Sequence, residues 1–63
     1  MCKINGKKLE EARLNAGMTQ RALAKELGVS NSAICHFEKG DANPSDENVE
    51  RLCMILKISK DDI

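Results

Sequence analysis

The sequence contains no Trp and no Tyr, and Phe37 is its only aromatic residue. Any apolar core must therefore come from Leu, Ile, Val, Ala and Met. No apolar run approaches the roughly 18 residues of a membrane span. The opening MCKINGKK lacks the apolar centre of a secretion signal, so a cytoplasmic protein with no membrane partner is expected. Alternation of apolar and polar residues is sustained nowhere, which argues against β-structure. The three cysteines, Cys2, Cys35 and Cys53, are odd in number and widely spaced. They form neither a disulfide framework nor a zinc pattern, and reduced thiols are expected. With a single histidine, no Ser-Lys constellation and no glycine-rich phosphate loop, the chain has no catalytic set. Neither enzymatic activity nor a cofactor nor a metal is expected.

Net charge is also missing, since ten basic residues balance ten acidic ones. The balance hides a split. Residues 1–40 carry seven Lys or Arg (Lys3, Lys7, Lys8, Arg13, Arg21, Lys25, Lys39) against four acids. From Asp41 onward three bases face six acids. One surface suits a polyanion and the other suits something else.

At 63 residues the chain is one small domain. A domain this short buries only about 60% of its unfolded surface, so its stability margin is thin. Four helices can be read, and a fifth is begun. Leu9, Ala12, Arg13 and Ala16 share one face of a helix over about 6–16, stopped by Gly17. Thr19 is an N-cap type for a second helix to Leu27, with Leu23, Ala24 and Leu27 inward. Gly28 permits a sharp turn. Ser30 caps a third helix that ends at Lys39 before Gly40. After the loop Asp41-Ala42-Asn43-Pro44, a fourth helix starts near Ser45, with Val49, Leu52, Cys53 and Leu56 inward. Ser59-Lys60-Asp61-Asp62 reads as the start of one more turn. The sequence stops one residue later, at Ile63, and one reading is that it is the N-terminal fragment of a longer protein.

On a wheel of about 100° per residue, Ile34 and Phe37 define the inner side of the third helix. Ser32, His36 and Lys39 lie opposite, Cys35 lies at the edge, and Asn31 stands at the N-terminal end. Small and amide side chains can approach base edges, and Asn pairs bidentately with adenine. The methyl of Ala33 could meet a thymine methyl if that position faces a groove. The same polar face could equally be an ordinary solvated surface. Arg13 and Glu38 both fall on inward faces, where either charge alone would be costly. Mutual pairing is the simplest resolution; two side chains that snorkel separately are the other.

Taken in order, several segments resemble the lambda-repressor/Cro (XRE-type) family of helix-turn-helix transcriptional regulators. They are Arg13-Leu14-Asn15-Ala16-Gly17-Met18-Thr19-Gln20, Leu23-Ala24-Lys25-Glu26-Leu27-Gly28-Val29-Ser30, Ile34, Phe37-Glu38-Lys39-Gly40, Asn43-Pro44 and Leu56-Lys57-Ile58-Ser59. The resemblance covers about residues 6–63. It implies an all-α, compact four- to five-helix bundle that binds DNA. It further implies that Asn31, Ser32 and His36 read bases, and that Gln20 caps the second helix over the DNA backbone and buttresses the first reading residue. Thr19, Arg21, Ser30, Lys39 and Asn43 are implied as backbone or supporting contacts, and Arg13 is implied to pair with Glu38. Two positions depart from the family pattern. Asp41 stands where a basic residue is frequent. His36 stands where larger polar side chains are found, and histidine is the residue type whose charge ordinarily changes near neutral pH.

One such domain covers too few base pairs to select a genomic site, so a homodimer on a pseudo-palindromic operator is expected. Met54, Ile55, Ile58 and Ile63 form the candidate dimer interface; closure of the core by a fifth helix would instead absorb Ile58 and Ile63. The leading expectation is a sequence-specific regulator of double-stranded DNA, a repressor. The alternative is an antitoxin-like or other protein-interaction module that uses the C-terminal surface to bind a protein partner.

Overall fold

Each of the four α-helices begins at a side chain that accepts backbone N–H groups the helix cannot satisfy itself. The computed structural model describes residues 4–63, so Cys2 and Lys3, which entered the thiol and charge readings, lie outside the described residues. Helix α1 is Gly6–Asn15, α2 is Gln20–Leu27, α3 is Asn31–Lys39 and α4 is Asp46–Leu56. The oxygen of Asn5 accepts from Lys7 N and Lys8 N at 3.0 and 3.2 Å. Thr19 accepts from Ala22 N, Ser30 from Ala33 N and Ser45 from Asn48 N, at 3.0, 3.1 and 3.2 Å. The fifth element is one 3-10 turn, Lys60–Asp62, held by a capping box between Ser59 and Asp62.

The helix ends share a device as well. Gly17, Gly28 and Gly40 have φ of 70, 84 and 86°, the left-handed region that reverses the chain. Lys57 does the same for α4 at φ 57°, without the freedom of glycine. The first helix stops at Asn15, and Ala16 is its exposed C-cap rather than part of the inward stripe. The approach to Gly17 turns that position away from the core.

The core is Leu9, Leu23, Ala24, Leu27, Ile34, Phe37, Leu52 and Leu56, with Val49 and Cys53 buried beside it. Helix α3 packs against both α1 and α2, and α4 packs against α2. The amide of Asn5 donates to the carbonyl of Ile63 at 2.8 Å, so the two ends of the described chain meet. Cys35 and Cys53 are free thiols. Burial pushes the Cys53 thiol up from its ordinary value, with Asp62 and Glu50 adding to the effect and Lys60 opposing it. No described helix is long and apolar enough to cross a membrane.

Gly6 sets the distance between α1 and α3. A Cβ at this position would collide with the backbone carbonyls of Phe37 and Glu38. The first turn of α1 therefore rests directly on the last turn of α3, and only hydrogen fits between them. Gly6→Ala is expected to lower stability by about 1–3 kcal/mol through overpacking, despite the better helix propensity of alanine. Urea unfolding of the two proteins measures it, and equal midpoints would show that the two helices are free to separate.

Candidate nucleic-acid interface

Two short helices and a three-residue connection build the site. The αL turn at Gly28 redirects the chain, Val29 packs against the core, and Ser30 caps the helix that follows. Ile34 and Phe37 are 0% and 8% exposed, which fixes the rotation of α3 about its axis. Asn31, Ser32, His36 and Lys39 are consequently exposed, and Cys35 is half-buried at the edge. Ala33 is half-buried and packs against the core, so its methyl is turned partly inward and away from the role considered for it. The first turns of α1, α2 and α3 contain no acid, whereas α4 starts with Asp46 and Glu47. The positive dipole ends of α2 and α3 are thus left uncompensated by side-chain charge, as suits an anionic partner.

Arg13 and Glu38 meet beneath this face. Arg13 Nε donates to Glu38 Oε2 at 2.7 Å, and the two side chains are 9% and 5% exposed. Arg13 Nη2 reaches Glu38 Oε1 at 3.4 Å, and Nη1 donates to the carbonyl of Met18 at 2.8 Å. Gln20 Nε2 donates to Glu38 Oε1 at 2.9 Å. One guanidinium and one carboxylate thus bind the end of α1, the turn after it, the start of α2 and the end of α3. Among the described residues no buried side-chain nitrogen or oxygen lacks a partner, which is the condition under which a buried charge pair is tolerated.

Gln20 needs a correction. The cap of α2 is Thr19, and Gln20 is the first helical residue after it. Its amide nitrogen donates to Glu38, whose carboxylate oxygen the ion pair places within its reach. Arg21 and Asn43 are exposed, and the hydroxyls of Thr19 and Ser30 cap helices while remaining at the surface. His36 Nδ1 lies 3.3 Å from Asp41 Oδ2, a contact not anticipated although both residues stood out. Of the apolar C-terminal residues, Met54 is 78% exposed, whereas Ile55, Ile58 and Ile63 are half-buried against the core. Leu14, 60% exposed on α1, was not singled out. Its position beside the inward Arg13 was the available signal.

The helix-turn-helix family model matches residues 9–63. This chain belongs to the helix-turn-helix family of transcriptional regulators, non-enzymatic DNA-binding proteins of the lambda-repressor/Cro type. It is 32% identical over 56 residues to the transcriptional regulator ImmR of Bacillus subtilis, covering 89% of this chain and 44% of that protein. It therefore spans less than half of that relative. Among solved structures, it is similar to the P22 c2 repressor of a Salmonella phage in complex with a synthetic operator. There the TM-score is 0.85 at 33% identity, over 95% of this chain and 91% of that one. The restriction-modification controller protein C.AhdI from Aeromonas hydrophila gives a TM-score of 0.82 at 32% identity, over 90% and 86%.

Removing either member of the Arg13–Glu38 pair strands a buried charge, at about 3–5 kcal/mol. A domain of this size has about 3–9 kcal/mol in total. Arg13→Met and Glu38→Leu are each expected to lose about 3–5 kcal/mol of it, and the double variant to regain most of that loss. Thermal and urea unfolding followed by circular dichroism tests this; additive losses in the double variant would show that the pair does not act as a unit.

Proposed function

We propose that this chain is a sequence-specific DNA-binding repressor in which α3 lies in the major groove. The observation that carries the reading is the exposed polar face of α3, held outward by Ile34 and Phe37. Asn31, Ser32 and His36 then read base edges. Lys39, Arg21 and Asn43, with Thr19, Gln20 and Ser30 at the helix starts, position the domain on phosphates. The operator complex of the similar P22 repressor supports this reading. A cytoplasmic site of action is part of the same proposal.

The domain measures 24 × 21 × 19 Å, short of the roughly 34 Å of one DNA turn. Two copies on a pseudo-palindromic operator supply the missing length. Met54, with the remaining exposed parts of Ile55, Ile58 and Ile63, forms the self-contact. The 78% exposure of Met54 is also the observation that favours a protein partner at this surface as a second reading. Analytical ultracentrifugation separates the two: two copies on a duplex with two half-sites are expected, with the second copy lost in Met54→Glu. One copy per duplex in the unaltered chain would favour the other partner.

Binding should weaken with salt. With about six phosphates contacted per dimer, log K against log salt is expected to slope near −5, measured by fluorescence anisotropy. Lys39→Ala should flatten that slope by about one unit for all sequences alike, and Asn31→Ala should relax base preference with the slope unchanged. A slope near zero would exclude groove binding.

A further inference from the structure

All four helices close their C-termini in the same way. The amide of the residue after the left-handed turn donates five positions back: Met18 N to Arg13 O, Val29 N to Ala24 O, Asp41 N to His36 O and Ile58 N to Cys53 O, at 3.1, 3.0, 3.1 and 3.0 Å. This closure brings the side chains of the two bonded residues together, and an apolar contact usually accompanies it. Met18, Val29 and Ile58 follow that rule and pack against the core. Asp41 does not. It is exposed, and its carboxylate faces the His36 ring at 3.3 Å, with the two side chains 61% and 53% exposed. The backbone therefore places the carboxylate over the imidazole, at the end of the face assigned to DNA.

We propose that Asp41 makes His36 a hydrogen-bond acceptor toward DNA, so that His36 reads an exocyclic amino group, N4 of cytosine or N6 of adenine. The inference rests on the groove reading of α3. A carboxylate only accepts, so the contact requires the proton on Nδ1. In the neutral ring Nε2 then carries the lone pair. In the major groove only cytosine N4 and adenine N6 donate, while guanine N7 and O6, adenine N7 and thymine O4 accept. A histidine with no partner at Nδ1 can present either a proton or a lone pair, and distinguishes the two sets poorly. Asp41 thus exchanges some attraction for phosphate for discrimination at one base pair. Lys39, one turn further along α3, leaves a positive charge near the same end of the helix.

His36 is the only histidine in the sequence, so nitrogen NMR of the ring reads its tautomer without ambiguity. At about pH 8, where an ordinary imidazole is neutral, the unaltered protein is expected to show Nδ1–H. Asp41→Ala, and Asp41→Leu with the apolar residue the other three closures carry, are expected to show a mixture with Nε2–H. Identical tautomers in all three proteins would overturn the inference while leaving the groove reading intact. Selection from randomised duplexes at the same pH supplies the second readout. At the base pair whose preference disappears in His36→Ala, a duplex lacking the exocyclic amino group (purine for adenine, or 2-pyrimidinone for cytosine) is expected to bind the unaltered protein more weakly but to make no difference to His36→Ala beyond the common loss of pairing. Both Asp41 variants should lower discrimination at that base pair roughly five- to tenfold, the worth of one hydrogen bond, with the other positions unchanged. Undiminished discrimination in them, or the same loss in the unaltered protein and in His36→Ala when the amino group is removed, would overturn the inference. Failure of the unaltered protein to select any sequence would remove the groove reading and the inference with it.

Discussion

The contact between Arg13 and Glu38 is the constraint to which the rest of the structure answers. Glu38 directly follows Phe37 and lies two residues from His36, so whatever anchors its carboxylate also fixes the rotation of α3. Arg13 anchors it from α1 through two nitrogens and Gln20 anchors it from α2. The guanidinium simultaneously ties down the carbonyl of Met18, within the turn between those helices. Apolar packing alone would resist rotation of α3 only softly, because Ile34 and Phe37 could slide in a core of aliphatic neighbours. A bidentate contact has a direction as well as an energy, and here the direction is that of the reading face.

The close approach at Gly6 belongs to the same arrangement. The last turn of α3 is gripped on one side by the ion pair and on another by the backbone of α1. Both contacts fall near the C-terminal end of α3, while Ile34 holds its middle. A domain this small has little apolar surface to spend. Its definition at the site comes from a few short-range contacts at helix ends rather than from bulk burial.

The helices were legible in the sequence because their signals are local. Thr19 and Ser30 cap as expected, α4 starts at its cap Ser45 where its start was read, and its inward stripe is Val49, Leu52, Cys53 and Leu56 as its spacing indicates. The inward charges Arg13 and Glu38 were also readable, because two charges on buried faces demand each other. Less legible were contacts that depend on where two helices cross. The bond from Gln20 to Glu38 requires the start of α2 to lie over the end of α3, which no periodicity encodes. Gly6 looked like any residue opening a helix, and its need for a bare Cα follows only from the packing of α1 on α3. The partial burial of Ile58 and Ile63 depends on the Lys60–Asp62 turn folding back, which Ser59 and Asp62 signalled without showing what it would cover.

The repeated helix closure links these levels. In three helices the residue after the left-handed turn is apolar and is pulled into the core, so the closure contributes to stability. At the end of α3 the same backbone geometry carries a histidine and an aspartate, which a core would reject and a polar surface accepts. The motif that elsewhere secures the fold is here turned outward, at the one helix whose surface has a chemical task. A loop contact of this kind would ordinarily be soft, but this one inherits its geometry from the backbone hydrogen bond that Asp41 itself donates, directly after the turn glycine. The precision of the reading face at its far end thus rests on the same backbone rule that closes the other three helices.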